Sequence, residues 1–141
     1  MKRTLRHKII VSAALMLVLA LLFTSCSGGI DTEEAKGDLL AFFDALRRGE
    51  DSQAEALLHP DGDSLEDCLD TLRDCCGTDP HKGILVTGYL NFAYSHYHSD
   101  VDGSRYILTA EAKIEGKDFL LCVVFVRNDG GYGIFEFDTV E

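Results

Sequence analysis

Basic side chains are scarce through most of this chain. Four of its 13 lysines and arginines (Lys2, Arg3, Arg6, Lys8) fall in the first eight positions, so the 116 residues after position 25 hold nine against all 24 acidic ones, a formal charge of −15. Such a surface repels phosphate backbones, and neither a basic stripe nor an aromatic stacking motif offsets it, so no nucleic-acid partner is expected. The same charge disfavours adsorption to anionic lipid through the protein surface. Long apolar runs are also missing: the longest, Ile9 to Phe23, has 15 residues, short of the roughly 20 a spanning helix needs. There is no Cys-x-x-Cys pair for a thiolate metal site and no Gly-x-Ser-x-Gly turn for a nucleophilic serine. Gly130-Gly131-Tyr132-Gly133 lies between expected strands rather than before a helix, so it reads as a hairpin and not a phosphate loop. Repeats and low-complexity tracts are absent.

What is present at the start is a basic stretch, the apolar run, and Phe23-Thr24-Ser25-Cys26. That order is an export signal. The small residues before Cys26 resemble the lipobox of bacterial lipoproteins, in a variant with Phe23 and Ser25 where that family prefers Leu and Gly or Ala. The resemblance implies cleavage before Cys26, a diacylglycerol on its thiol, and a protein held on the extracytoplasmic face of the cell membrane. Residues 1–25 are then the signal peptide, 26–30 a short lipidated tether, and 31–141 a single domain with one modest core.

With Cys26 lipidated, Cys68, Cys75, Cys76 and Cys122 remain. Within one helix Cys68 and Cys75 lie about 10.5 Å apart along the axis, too far for a disulfide, and adjacent Cys75 and Cys76 would form a strained ring. A bridge would join Cys122 to Cys68, Cys75 or Cys76; the alternative is four buried free thiols.

Asp31-x-x-Glu34 opens a helix of about 17 residues, with Ala35, Leu39, Phe42, Phe43 and Leu46 on one face and Gly49 ending it. Ser52 is positioned to cap a short second helix, Gln53 to His59, stopped by Pro60. Ser64 caps a third, with Leu65, Cys68, Leu69, Leu72, Cys75 and Cys76 on one face and Gly77 closing it. From Ile84 the apolar period changes to two. Four strands are expected: Ile84–His98, bent at Gly88; Arg105–Glu115; Lys117–Arg127, apolar on both faces and therefore central; and Tyr132–Val140. Asp102-Gly103, Glu115-Gly116 and Asn128-Asp129-Gly130-Gly131 have hairpin chemistry, which makes the strands antiparallel neighbours. The fold class is α+β, N-terminal helices packed on a curved antiparallel β-meander of about four strands.

This element order, with the helix end Phe42-Phe43-Asp44-Ala45-Leu46-Arg47-Arg48-Gly49-Glu50 and the short helix ending Leu57-Leu58-His59-Pro60, resembles the cone-like fold of the nuclear transport factor two-like (cystatin-like) superfamily over residues 31–141. Its members include ketosteroid isomerases, polyketide cyclases and small bacterial lipoproteins. The resemblance implies a cavity between helices and concave sheet, and often a homodimer through the opposite face. It implies no particular activity.

Chemistry concentrates in Tyr94-Ser95-His96-Tyr97-His98-Ser99-Asp100. In an extended strand His96 and His98 point to one side and could share a transition metal with Asp100 or Asp102; the plainer reading is a polar strand end entering a turn. Phe42, Tyr89, Phe92, Tyr94 and His96 are the candidate pocket. Tyr94 and His96 could act as donor and base on a small apolar substrate, but no carboxylate points the same way, and Glu136 and Asp138 belong to the other face. No catalytic set and no cofactor is assigned. The expectation is a membrane-anchored, non-catalytic ligand-binding or protein-interaction module, whose partners are the membrane, an envelope protein, a second copy or a small apolar ligand. The alternatives are a cone-fold isomerase or cyclase and a histidine metal-binding lipoprotein.

Overall fold

The structure is a computed structural model that describes residues 29–140. The segment expected to be an export signal, and Cys26, lie outside the described residues. Among the described residues three helices and a 3-10 turn pack on an open four-stranded antiparallel sheet in the order β1-β2-β3-β4.

Helix α1, Thr32–Arg47, starts where the Asp31 carboxylate accepts the Glu33 N–H at 3.3 Å. Its buried face is Ala35, Leu39, Phe42, Phe43, Ala45 and Leu46, the three- and four-residue spacing seen in the sequence. The chain turns away through Gly49, at φ +71°, a conformation that costs glycine little.

Helix α2 differs from expectation. It is a single turn, Asp51–Glu55, whose N-cap is Glu50 without a side-chain hydrogen bond. Residues 57–59 leave the helix and run parallel to the sheet: Leu57 O accepts from Ile134 N at 3.0 Å and His59 N donates to Ile134 O at 2.7 Å. Pro60 disfavours helical backbone at the preceding residue, so the chain is already extended at His59 and its backbone groups find partners across the edge of the sheet.

Helix α3, Leu65–Cys76, follows the expected pattern. Ser64 Oγ accepts from Asp67 N, and Gly77 at φ +71° closes the last turn onto Arg73 O. Cys68, Leu72 and Cys76 are buried, and α3 touches β3 and β4. The 3-10 turn Pro80–Lys82 leads into the sheet.

Strands β1 (Leu85–His98), β2 (Gly103–Ile114), β3 (Lys117–Asn128) and β4 (Gly131–Asp138) form a meander. Glu115 and Gly116 both have positive φ, +48° and +79°, the geometry of a tight hairpin that matches strand twist. Every second residue of β2 from Tyr106 to Ile114 is buried. β3 is internal, and Val123 to Val126 are buried on both of its faces while Leu120 stays exposed. The core is centred on Phe42, whose ring lies 5.8 Å from Phe43 and 5.3 Å from Phe137. Each such burial is worth about 1.5–3 kcal/mol. No helix among the described residues is long and apolar enough to cross a membrane.

Candidate functional site

Among the described residues β1 is an edge strand, paired with β2 alone. Its sequence, LVTGYLNFAYSHYH, has no Asp, Glu, Lys or Arg in 14 residues, and every residue from Leu90 to Tyr97 is exposed. Val86 and Tyr89 of β1 are partly buried and pack against the core. Beyond Tyr89 the strand runs past the helices, so the aromatics that alternation aims inward meet solvent instead.

Phe92 is 61% exposed and stacks on Tyr106 at 6.3 Å. Tyr94, 45% exposed and opposite Tyr106 in the ladder, brings its hydroxyl 3.3 Å from His96 Nδ1 and 3.5 Å from Ser104 Oγ. The Lys36 ammonium sits 4.8 Å from the Tyr89 ring centre, and burial raises the Tyr89 phenol pKa. Tyr97, 65% exposed, donates to Asp102 Oδ1 at 2.9 Å, and that hydrogen bond raises its own pKa. Tyr89, Phe92, Tyr94 and His96 therefore line one side of β1 as a strip. Phe42 does not join them: it is wholly buried in the core, because the helix face that looked like a pocket wall is the face packed on the sheet.

The register of β1 slips between Val86 and Gly88, between Tyr89 and Asn91, and between Ser95 and His98. The first is the bend anticipated at Gly88, where an added methyl would meet Glu111 Oε2 at 2.9 Å. The third breaks the alternation that would put both histidines on one side. His96 turns to Tyr94, whereas His98 Nε2 lies 3.4 Å from an Arg105 guanidinium nitrogen and its Nδ1 3.6 Å from Asp100. The two imidazoles have separate neighbours. Among the described residues no three His, Cys, Asp or Glu side chains are grouped so as to hold a metal.

At the turn end of the sheet, a cleft of about 420 Å³ is lined by Asp61, Asp100, Asp102, Asp129, Asn128 and Phe135, among others. Beneath it lies His59, only 2% exposed. Its Nδ1 accepts the Asp61 N–H at 3.0 Å, which leaves the proton of a neutral ring on Nε2, 3.0 Å from Asn128 Oδ1 and 3.2 Å from Gly131 O. Asn128 in turn accepts from Gly130 N and donates to Val101 O. Three loops are tied through two side chains. In the sequence His59 stands only as the last residue of the expected second helix, before Pro60, and nothing there marks the longer contact.

The four described thiols are free. Cys68 and Cys76 face the core, and burial pushes the Cys68 thiol up to about 12. Cys75 and Cys122 are half-buried, both raised by burial and both near Asp138. Glu136, opposite Val124, has its carboxyl raised by burial and by Asp63.

Comparison with protein-family models gives no match to this chain, and comparison with curated proteins gives none either.

Proposed function

We propose that this chain is a lipid-anchored extracytoplasmic lipoprotein whose α+β domain is a non-catalytic binding module, working through the exposed side of β1. The observation that carries the module reading is the uncharged stretch Leu90–Tyr97, exposed at every position in an otherwise acidic protein. Monomeric domains usually blunt an edge strand with charge, and a run of exposed apolar and aromatic groups marks a contact surface. The anchoring reading rests on the basic, apolar and Cys26 segments of the sequence.

Expression of the full chain and of Cys26→Ala in an exporting bacterium, followed by fractionation, tests the anchor. The parent chain is expected in the membrane fraction and the variant in the soluble one. A variant that stays on the membrane after its signal is cleaved contradicts the lipobox reading.

A second reading is favoured by one contact, the 3.3 Å approach of the Tyr94 hydroxyl to His96 Nδ1: a cone-fold enzyme with Tyr94 as donor and His96 as base. Both side chains are exposed, so neither is enclosed in a pocket that would hold a substrate away from water. Turnover of a small carbonyl substrate that disappears in both Tyr94→Phe and His96→Ala would favour the enzyme over the module.

A further inference from the structure

We infer that the aromatic side of β1 is a membrane-interfacial docking surface, with the lipid headgroup layer as its partner. The inference rests on the anchored reading above and adds which face of the domain meets the bilayer.

The place where the chain enters the domain carries the argument. Ile30 is buried in the core, and a methyl group on Gly29 would lie 3.2 Å from the Tyr94 hydroxyl oxygen. The chain therefore passes directly against the exposed strip. Only Ser27 and Gly28 separate Gly29 from Cys26, and three residue steps reach at most about 11 Å. A lipid on Cys26 is thus held close to Tyr94, and the surface around Tyr94 is the one brought down to the bilayer.

That surface has suitable chemistry. Phe92, Tyr94 and Tyr97 present apolar ring bodies, and the tyrosines carry a polar tip. Such rings settle where acyl chains meet headgroups. The strand itself carries no formal charge; the carboxylate of Asp102, bonded to the Tyr97 hydroxyl at 2.9 Å, lies at its end rather than beside Phe92. The free backbone edge of β1 must keep its polar groups solvated, so contact is at headgroup depth, not in the hydrocarbon. The three register slips in β1 interrupt the edge that a second copy would need to extend the sheet, which favours lipid over self-pairing.

The chain has no tryptophan, so Phe92→Trp introduces a single emitter, with Tyr94→Trp as a second should the first disturb folding. Leu120→Trp, on a different strand and 41% exposed before substitution, is the reference. Each full-length acylated variant is reconstituted in phosphatidylcholine vesicles brominated near the top of the acyl chains, and flotation is measured alongside emission. The expected result is co-flotation of all three, with quenching of the β1 tryptophan several-fold greater than that of Leu120→Trp. Flotation with an unquenched, water-like β1 tryptophan overturns this inference and leaves the anchor standing. An emission shifted to the blue but unquenched overturns it in favour of a second copy on the strip. Failure of the acylated chain to float overturns the anchored reading and this inference with it.

Discussion

His59 Nε2 lies 3.0 Å from Asn128 Oδ1 although 69 positions separate them in the chain. The contact fastens the loop after α2 to the β3–β4 turn, and Asn128 carries it on to Val101 at the β1–β2 turn. His59→Ala leaves Asn128 and Gly131 O without this buried partner. A loss of about 1–3 kcal/mol is expected, measured as a lower urea midpoint. Asn128→Ala should cost a similar amount, and the double variant less than the sum, because both changes break one network. Additive losses would contradict the connection.

Two glycines are expected to behave oppositely. An added methyl at Gly133 would come within 2.6 Å of His59 N and 2.7 Å of Leu58 C, whereas at Gly37, in the exposed part of α1, nothing lies within 4 Å. Gly133→Ala should destabilise by about 1–3 kcal/mol, as overpacking does. Gly37→Ala should stabilise by roughly 0.8–1 kcal/mol through helix propensity. Equal thermal midpoints for the two variants would count against the parallel contact between residues 57–59 and β4.

Much of this fold was legible. Asp31, Ser64 and Gly77 announce helix ends through local hydrogen bonds, and the change of apolar period at Ile84 announces the sheet. Contacts decided by distant residues were hidden. The extended path of Leu57–His59 depends on Ile134, which no local pattern reveals. The divergence of His96 from His98 depends on a register slip, and alternation carries no mark of an extra residue. Phe42 showed a helix face to be buried but not whether it met a cavity or a packed sheet. Phe92, Tyr94 and His96 were readable as one side by alternation along the strand, whereas Tyr89, an odd step from Phe92, joins them only through the register slip between Tyr89 and Asn91.

His81 introduces a pH dependence. Its Nδ1 lies 2.8 Å from Asp79 and its Nε2 2.9 Å from Asp51. The hydrogen bond to Asp79 first, and that to Asp51 next, raise its pKa above 6.5. A raised value in the folded state means stability that is fully present below about pH 6.5 and lost as pH climbs through the folded value. The contribution is under about 1 kcal/mol, since the ring is partly solvated. Urea midpoints of the parent and His81→Gln should differ at about pH 6 and converge by about pH 9. A gap that widens with rising pH would contradict the assignment.

Tyr106 offers a stabilising change. It is 1% exposed and its hydroxyl has no hydrogen-bond partner among the described residues. Tyr106→Phe removes an unsatisfied polar atom and keeps the ring contacts to Phe92 and Phe125. Stability should hold or rise by up to about 1–3 kcal/mol; a clear fall in thermal midpoint would show that the hydroxyl is bonded.

The central claim is that the domain is tied to a membrane at Cys26. Intact mass spectrometry of the full chain, extracted from the membranes of an exporting bacterium, tests it most directly. The account predicts a polypeptide beginning at Cys26 and carrying a diacylglyceryl group on that residue. A polypeptide that begins elsewhere, or one that begins at Cys26 without lipid, would contradict it.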